Sequence, residues 1–252
     1  MKYALICLSL FISSAISANE LIIVNSVHQA SAKYKAVDLY NYIKSVEPDA
    51  LLTEGSESMF NDDGSISEDT SGLEVEAYRL LENNGNTPII NVSMENRNER
   101  MREIDYSNTL TKTFQLLQKK FQADELKNPA LFNEIMNSFF GRRSCMMDSS
   151  LAEINSETCV TAFEKNNDAI FNKMTSLLEQ TPSLSSELNQ WKKIVDFHNE
   201  RHTALVKNVN EHVCKDTQKT YVLVLGAMHF SEVKRMLSES SCDFSIATYS
   251  EA

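Results

Sequence analysis

Two short apolar runs near opposite ends of the chain, residues 21–25 (LIIVN) and 221–226 (YVLVLG), constrain the fold more than anything else in the sequence. Both are continuous rather than alternating, as strands buried on two faces of a parallel sheet are. Between residues 32 and 46, Val37, Tyr40, Ile43 and Val46 recur every three positions, as on one helix face, and Pro48 ends that run. Residues 50–53 read as a second strand, 56–71 as a polar loop, 74–83 as a helix stopped by Gly85, and 88–92 (PIINV) as a third strand. From about residue 97 to 217 only helical periodicities occur, broken near Pro129, Gly141 and Pro182. After the run at 221–226, a helix over 231–239 and a strand over 244–248 complete another β-α-β unit. The pattern predicts one α/β domain over residues 19–252, a mostly parallel sheet flanked by helices, interrupted by a large helical insertion at about 107–217.

The first eighteen residues carry Lys2, an uncharged, largely apolar run from 4 to 16, and small residues at Ser17 and Ala18. The run is too short for a membrane anchor, which takes about 20 apolar residues, and reads as a cleavable signal peptide. The expectation is a periplasmic or secreted protein with no anchor after cleavage. Cys7 would leave with the leader. Cys145, Cys159, Cys214 and Cys242 would remain, an even number in an oxidising compartment, which implies two disulfides with three possible connectivities. Pairing sequence neighbours, Cys145–Cys159 and Cys214–Cys242, is the simplest. No C-x-x-C spacing supports zinc instead.

Composition excludes several function classes. The net charge of −11, one unit more negative without Lys2, argues against a sequence-independent grip on nucleic acid or an anionic membrane. Only six glycines occur, and no two are spaced as a dinucleotide-binding loop, a nucleophile elbow or a Walker A loop requires.

Parallel sheets bind ligands beyond the carboxyl ends of their strands. His28 follows the first strand by three residues, Glu54 directly follows the second, and His229 follows Gly226 by three. Two imidazoles and a carboxylate on one rim can form a general base with an orienting carboxylate or ligands for a divalent metal. A chance placement of common loop residues is the plainer alternative.

These residues resemble the superfamily that joins TraB/Tiki proteins, erythromycin esterases and haem-binding ChaN-like lipoproteins. The resemblance lies in N-S-V-H (residues 25–28), L-L-T-E-G (51–55), H-N-E-R-H-T-A-L-V-K-N-V (198–209) and V-L-G-A-M-H (224–229). It covers both ends of the mature chain and leaves about 107–191 unmatched. It implies a hydrolase for an ester or amide bond in a small molecule or peptide, metal-dependent in some members, whereas other members bind haem. In that pattern His28 is a base or metal ligand and Glu54 orients water. His229 is a second ligand or stabilises developing negative charge, and Arg201 holds an anionic group or the catalytic carboxylate. Asn25 stands where the family has glycine, and asparagine tolerates left-handed backbone best after glycine.

Rival sites are weaker. His198 and His202, at i and i+4 on one helix, could clamp zinc, but the preferred reading is a solvated face. Arg97 or Arg100 could enter the site from the cluster after the third strand, against a solvated helix start. An EF-hand around Asn61–Gly64 fails, because Met59 and Thr70 occupy its first and twelfth positions. Met136, Met146, Met147 and Met174 read as packing residues rather than copper or haem ligands.

Overall fold

A computed structural model describes residues 18–85 and 87–249, so the expected leader lies outside the described residues apart from Ala18. Five strands form one all-parallel sheet: β1 (Asn19–Ser26), β2 (Ala50–Thr53), β3 (Ile89–Asn91), β4 (Thr220–Gly226) and β5 (Phe244–Thr248). Their order is β3-β2-β4-β1-β5. The two apolar runs are adjacent at the centre of the sheet, with Val24 opposite Val224 and Ser26 opposite Gly226. Such runs are what a central strand needs, because both of its faces are covered.

Alternate side chains serve two cores. Ile22, Val24, Leu51, Val222 and Val224 face one side, against Leu39 and Ile43 of α1 (Ala36–Val46) and Ala77, Tyr78 and Leu81 of α2 (Leu73–Asn84). Leu21, Ile23, Leu52, Leu223 and Leu225 face the other.

The connection from β3 to β4 carries α3 (Arg97–Glu103), α4 (Tyr106–Gln122), α5 (Pro129–Met147), α6 (Leu151–Ile154), α7 (Glu157–Asp168), a π-helical turn (Ala169–Lys173), α8 (Met174–Glu179) and α9 (Ser185–Val213). It contains no strand. Asn128 caps α5 by accepting from the Leu131 N–H at 3.0 Å, with Pro129 in the first turn, where its missing N–H is harmless. These helices bury a core of their own around Trp191, Phe132, Ile135 and Leu177.

The 29-residue α9, roughly 43 Å long, joins the cores. Trp191, Ile194 and Phe197 belong to the insertion, whereas Leu205, Val206, Val209 and Val213 pack on the sheet beside Phe230, Val233 and Leu237 of α10 (Phe230–Ser238). Helical structure thus begins at Arg97, and the second half of α9 forms a layer of the α/β sandwich.

The cysteines pair as neighbours, Cys145–Cys159 between α5 and α7 and Cys214–Cys242 between the end of α9 and the approach to β5, with Cα separations of 5.6 and 5.8 Å. Two bridges suit an oxidising compartment. No helix among the described residues is long and apolar enough to cross a membrane.

Candidate functional site

The ends of β1, β2 and β4 deliver His28, Glu54 and His229 to one edge, where α9 brings Arg201. All four line a cavity of about 430 Å³. The turn after β1 places His28 in left-handed backbone, φ 59°. Asn25, where a left-handed residue was expected, is instead an extended member of β1. Its N–H donates to Asn155 Oδ1 at 2.8 Å and its carbonyl accepts from Asn155 Nδ2 at 3.1 Å, so the insertion clasps the strand end. The tight turn thus falls three residues later than the glycine motif suggested.

His28 is paired with a residue the sequence reading took only as a helix start. Its Nδ1 lies 2.9 Å from Oε1 of Glu74, in the first turn of α2, and its backbone N–H donates to the same oxygen at 3.2 Å. The Ser26 hydroxyl donates to that oxygen as well, and Tyr34 Oη lies 3.1 Å from Ser26 Oγ. Glu74 is buried while 60% of the His28 side chain stays accessible, so one edge of the ring is fixed and the rest faces solvent and cavity. Desolvation pulls the His28 pKa down, but the hydrogen bond and charge of Glu74, helped by Glu54, hold it above the ordinary value. Glu74 is also enclosed, which would raise its pKa, yet His28 and the Ser26 hydroxyl hold it below the carboxylate norm.

Glu54 is more tightly engaged. Arg201 donates to its Oε1, the Gly226 N–H donates to Oε2 at 3.2 Å, and His229 Nε2 lies 3.6 Å from Oε1. Its side chain is almost wholly buried. Gly226 leaves room for the ring of His28, because a Cβ there would stand 2.6 Å from Nε2 unless that ring moved.

Behind His229 lies a second cluster. His198 and His202 are buried, not on a solvated face. His202 Nε2 lies 2.8 Å from His229 Nδ1, and the His198 ring stacks on Phe171 of the π-helical turn at 3.7 Å between centroids. Burial lowers the pKa of all three, that of His202 to about 4, with further lowering of His198 by the neighbouring histidines and of His229 by Arg201. One nitrogen from each imidazole lies within 4.8 Å of the others, a grouping that could hold a metal ion. Neutral rings are what a metal requires. His198 Nε2 and His202 Nδ1 are buried without a hydrogen-bond partner among the described residues. This grouping shares only His229 with the ligand set His28, Glu54 and His229 that the sequence suggested.

Compared with known proteins, the chain matches no family model and has no significant match among curated proteins or solved structures. The roles of these residues therefore rest on geometry.

Two cations that the sequence did not single out, or left on the surface, also line the cavity. Arg97 does so from α3, whereas Arg100 stays outside, 3.1 Å from Glu103 and 3.7 Å from Glu200. Arg142 does so from α5. Burial pulls both guanidinium pKa values down. Met146 lines the cavity too. Met136 and Met174 pack in the insertion core, but Met147 is exposed, a correction to its reading as a packing residue.

Proposed function

We propose that the protein is an exported hydrolase, periplasmic or secreted, of the TraB/Tiki and erythromycin-esterase-like type, cleaving an ester or amide bond in a small molecule or peptide. The observation that carries the reading is the His28–Glu74 dyad at the mouth of the cavity. With Nδ1–H donated to Glu74, Nε2 keeps a lone pair and serves as general base. Nε2 takes a proton from a water molecule as the water oxygen bonds to the carbonyl carbon. Negative charge collects on the former carbonyl oxygen, where the Arg201 side of the cavity stabilises it. The bond to the leaving oxygen or nitrogen then breaks, and His28 returns the proton to that atom. Glu54, already engaged by Arg201 and Gly226, acts here as an anchor for Arg201 and a neighbour of His229 rather than as the group that activates water.

A second reading, a metal-binding protein without catalysis, is favoured by the buried trio His198, His202 and His229. A divalent ion held there would act as a structural tie between α9 and the turn after β4. The His202–His229 hydrogen bond would open to admit it, and Glu54 beside His229 Nε2 would orient that ring, as carboxylates behind metal-bound imidazoles do. Burial of all three rings suits a bare ion better than haem, because a macrocycle needs an open face.

A panel of esters and amides, with metal content measured on the same preparation, separates the readings. We expect turnover that falls about 100-fold or more in folded His28→Ala. Glu74→Gln should move the pH–rate profile to a lower apparent pKa, because the charge that raises it is gone. Wild-type turnover in folded His28→Ala would overturn the hydrolase site. An inactive protein that holds one metal per chain and loses it in His198→Phe would establish the second reading.

A further inference from the structure

We propose that the cavity selects a small molecule in which an oxyanion, carboxylate or phosphate, is joined to an apolar body, with Arg97 and Arg142 receiving the anion. The proposal rests on the reading that substrate binds in this cavity, but not on bond cleavage there.

Three guanidiniums line the cavity, those of Arg97, Arg142 and Arg201, against one carboxylate, Glu54. The chain as a whole carries −11, so this local excess runs against its composition. Arg201 has taken Glu54. Among the described residues, neither Arg97 nor Arg142 has a carboxylate at ion-pair distance, although Arg100 and Arg235 on the surface both do.

The partners they do have are weak and neutral. Arg97 Nη1 donates to the Glu54 carbonyl at 3.3 Å, and its Nε is buried without an acceptor. Arg142 donates from Nε to Met146 Sδ at 3.1 Å and from Nη1 to Asn166 Oδ1 at 3.4 Å. A guanidinium has five N–H donors, so both retain hydrogen-bonding capacity. Half-burying two cations with no carboxylate in contact is unfavourable. A carboxylate or phosphate supplies that charge and matches the planar fork of arginine.

Beside Ser26, Ser56, His28 and His229, the rest of the wall is largely apolar, with Val27, Met59, Met101, Met146, Phe163 and Met228. Unbranched methionines adapt to varied hydrocarbon shapes. A volume of about 430 Å³ falls in the range of small-molecule sites.

The test is a matched series on the purified protein, followed by calorimetry near neutral pH: octanoate, octyl phosphate, octanol and octylamine. We expect at least one anion to bind ten or more times more tightly than octanol, and octylamine not at all. Which anion wins assigns carboxylate or phosphate. Arg97→Gln and Arg142→Gln, each checked for folding by circular dichroism, should weaken anion binding about tenfold or more and leave octanol unchanged. Equal binding of octanol and both anions, no binding of any probe at millimolar concentration, or wild-type anion affinity in both folded variants would overturn the proposal. Anion binding without ester or amide turnover leaves it standing and removes the hydrolase. Turnover of neutral esters equal to that of matched anionic esters does the reverse.

Discussion

His28 and His202 both neighbour His229, yet the protein moves their proton affinities in opposite directions. The His28 ring leaves most of its surface to solvent and gives one edge to a buried carboxylate, so its protonated form gains. His202 is enclosed with two other imidazoles and its neutral form is favoured, with a pKa near 4. What separates them is the layer they occupy. The first stands on the sheet rim, and the second lies where α9 crosses from one hydrophobic core to the other. The rim is built to exchange protons, and the layer behind it is built to refuse them.

The largest effect expected from breaking this division is at Glu54, a carboxylate that contacts Arg201 on α9 as well as Gly226 and His229 at the strand end. Replacing it by leucine leaves Arg201 without its counter-ion in a mostly buried position, and we expect a loss of about 3 kcal/mol in urea unfolding. Adding Arg201→Met should recover part of it, because the two losses are not independent. Additive losses would mean that the pair is not coupled.

The next effect is a pH slope. Below pH 6.5 the unfolded chain protonates His202, whereas the folded protein resists down to about 4, so this contribution is present above 6.5 and lost as pH falls. His198 and His229 act in the same direction. Each contributes about 1.4 kcal/mol per pH unit where only the unfolded form is protonated. His28, shifted upward, opposes them with stability that is present below 6.5 and lost as pH rises through its folded value. Urea midpoints at pH 7, 6 and 5 should therefore fall, and His198→Phe should flatten the decline by about one proton. An unchanged slope would place the titrating groups elsewhere.

The smallest stability effect is expected at Gly226. An added methyl meets His28 Nε2, the end of a ring with room to swing outward, so Gly226→Ala should lower stability by less than about 1 kcal/mol. Under the hydrolase reading, turnover should fall about tenfold as the ring leaves its place. A proportionate loss of both would show the rim to be rigid.

Much of this was readable in advance. Every strand lies within two residues of its expected bounds, because central parallel strands advertise themselves as unbroken β-branched runs. Neighbour pairing of the cysteines also holds. His28, Glu54 and His229 could be brought to one cavity in advance because strand ends can be counted in sequence, whereas Arg201, on α9, was expected there only from the family resemblance. Glu74 was missed because its contact with His28 depends on how the start of α2 packs against the turn after β1, and nothing local marks it. The burial of His198 and His202 did leave a trace. They continue the stripe Trp191, Ile194, Leu205, Val209 and Val213 along α9, but Glu200, Arg201 and Lys207 between them make the segment look solvated. Arg97 and Arg142 reach the cavity through the packing of the insertion, which no periodicity reports.

The strand order also dictates when the sheet can close. β1 has β4 on one side and β5 on the other, with Glu20 opposite Thr220 about two hundred positions later. At roughly 5–20 residues per second on a ribosome, LIIVN waits on the order of 10–40 s for its first strand neighbour. The insertion has a core of its own, whereas the centre of the sheet cannot be complete before the last two strands are made. The strand that begins the fold is completed by the strands that end it.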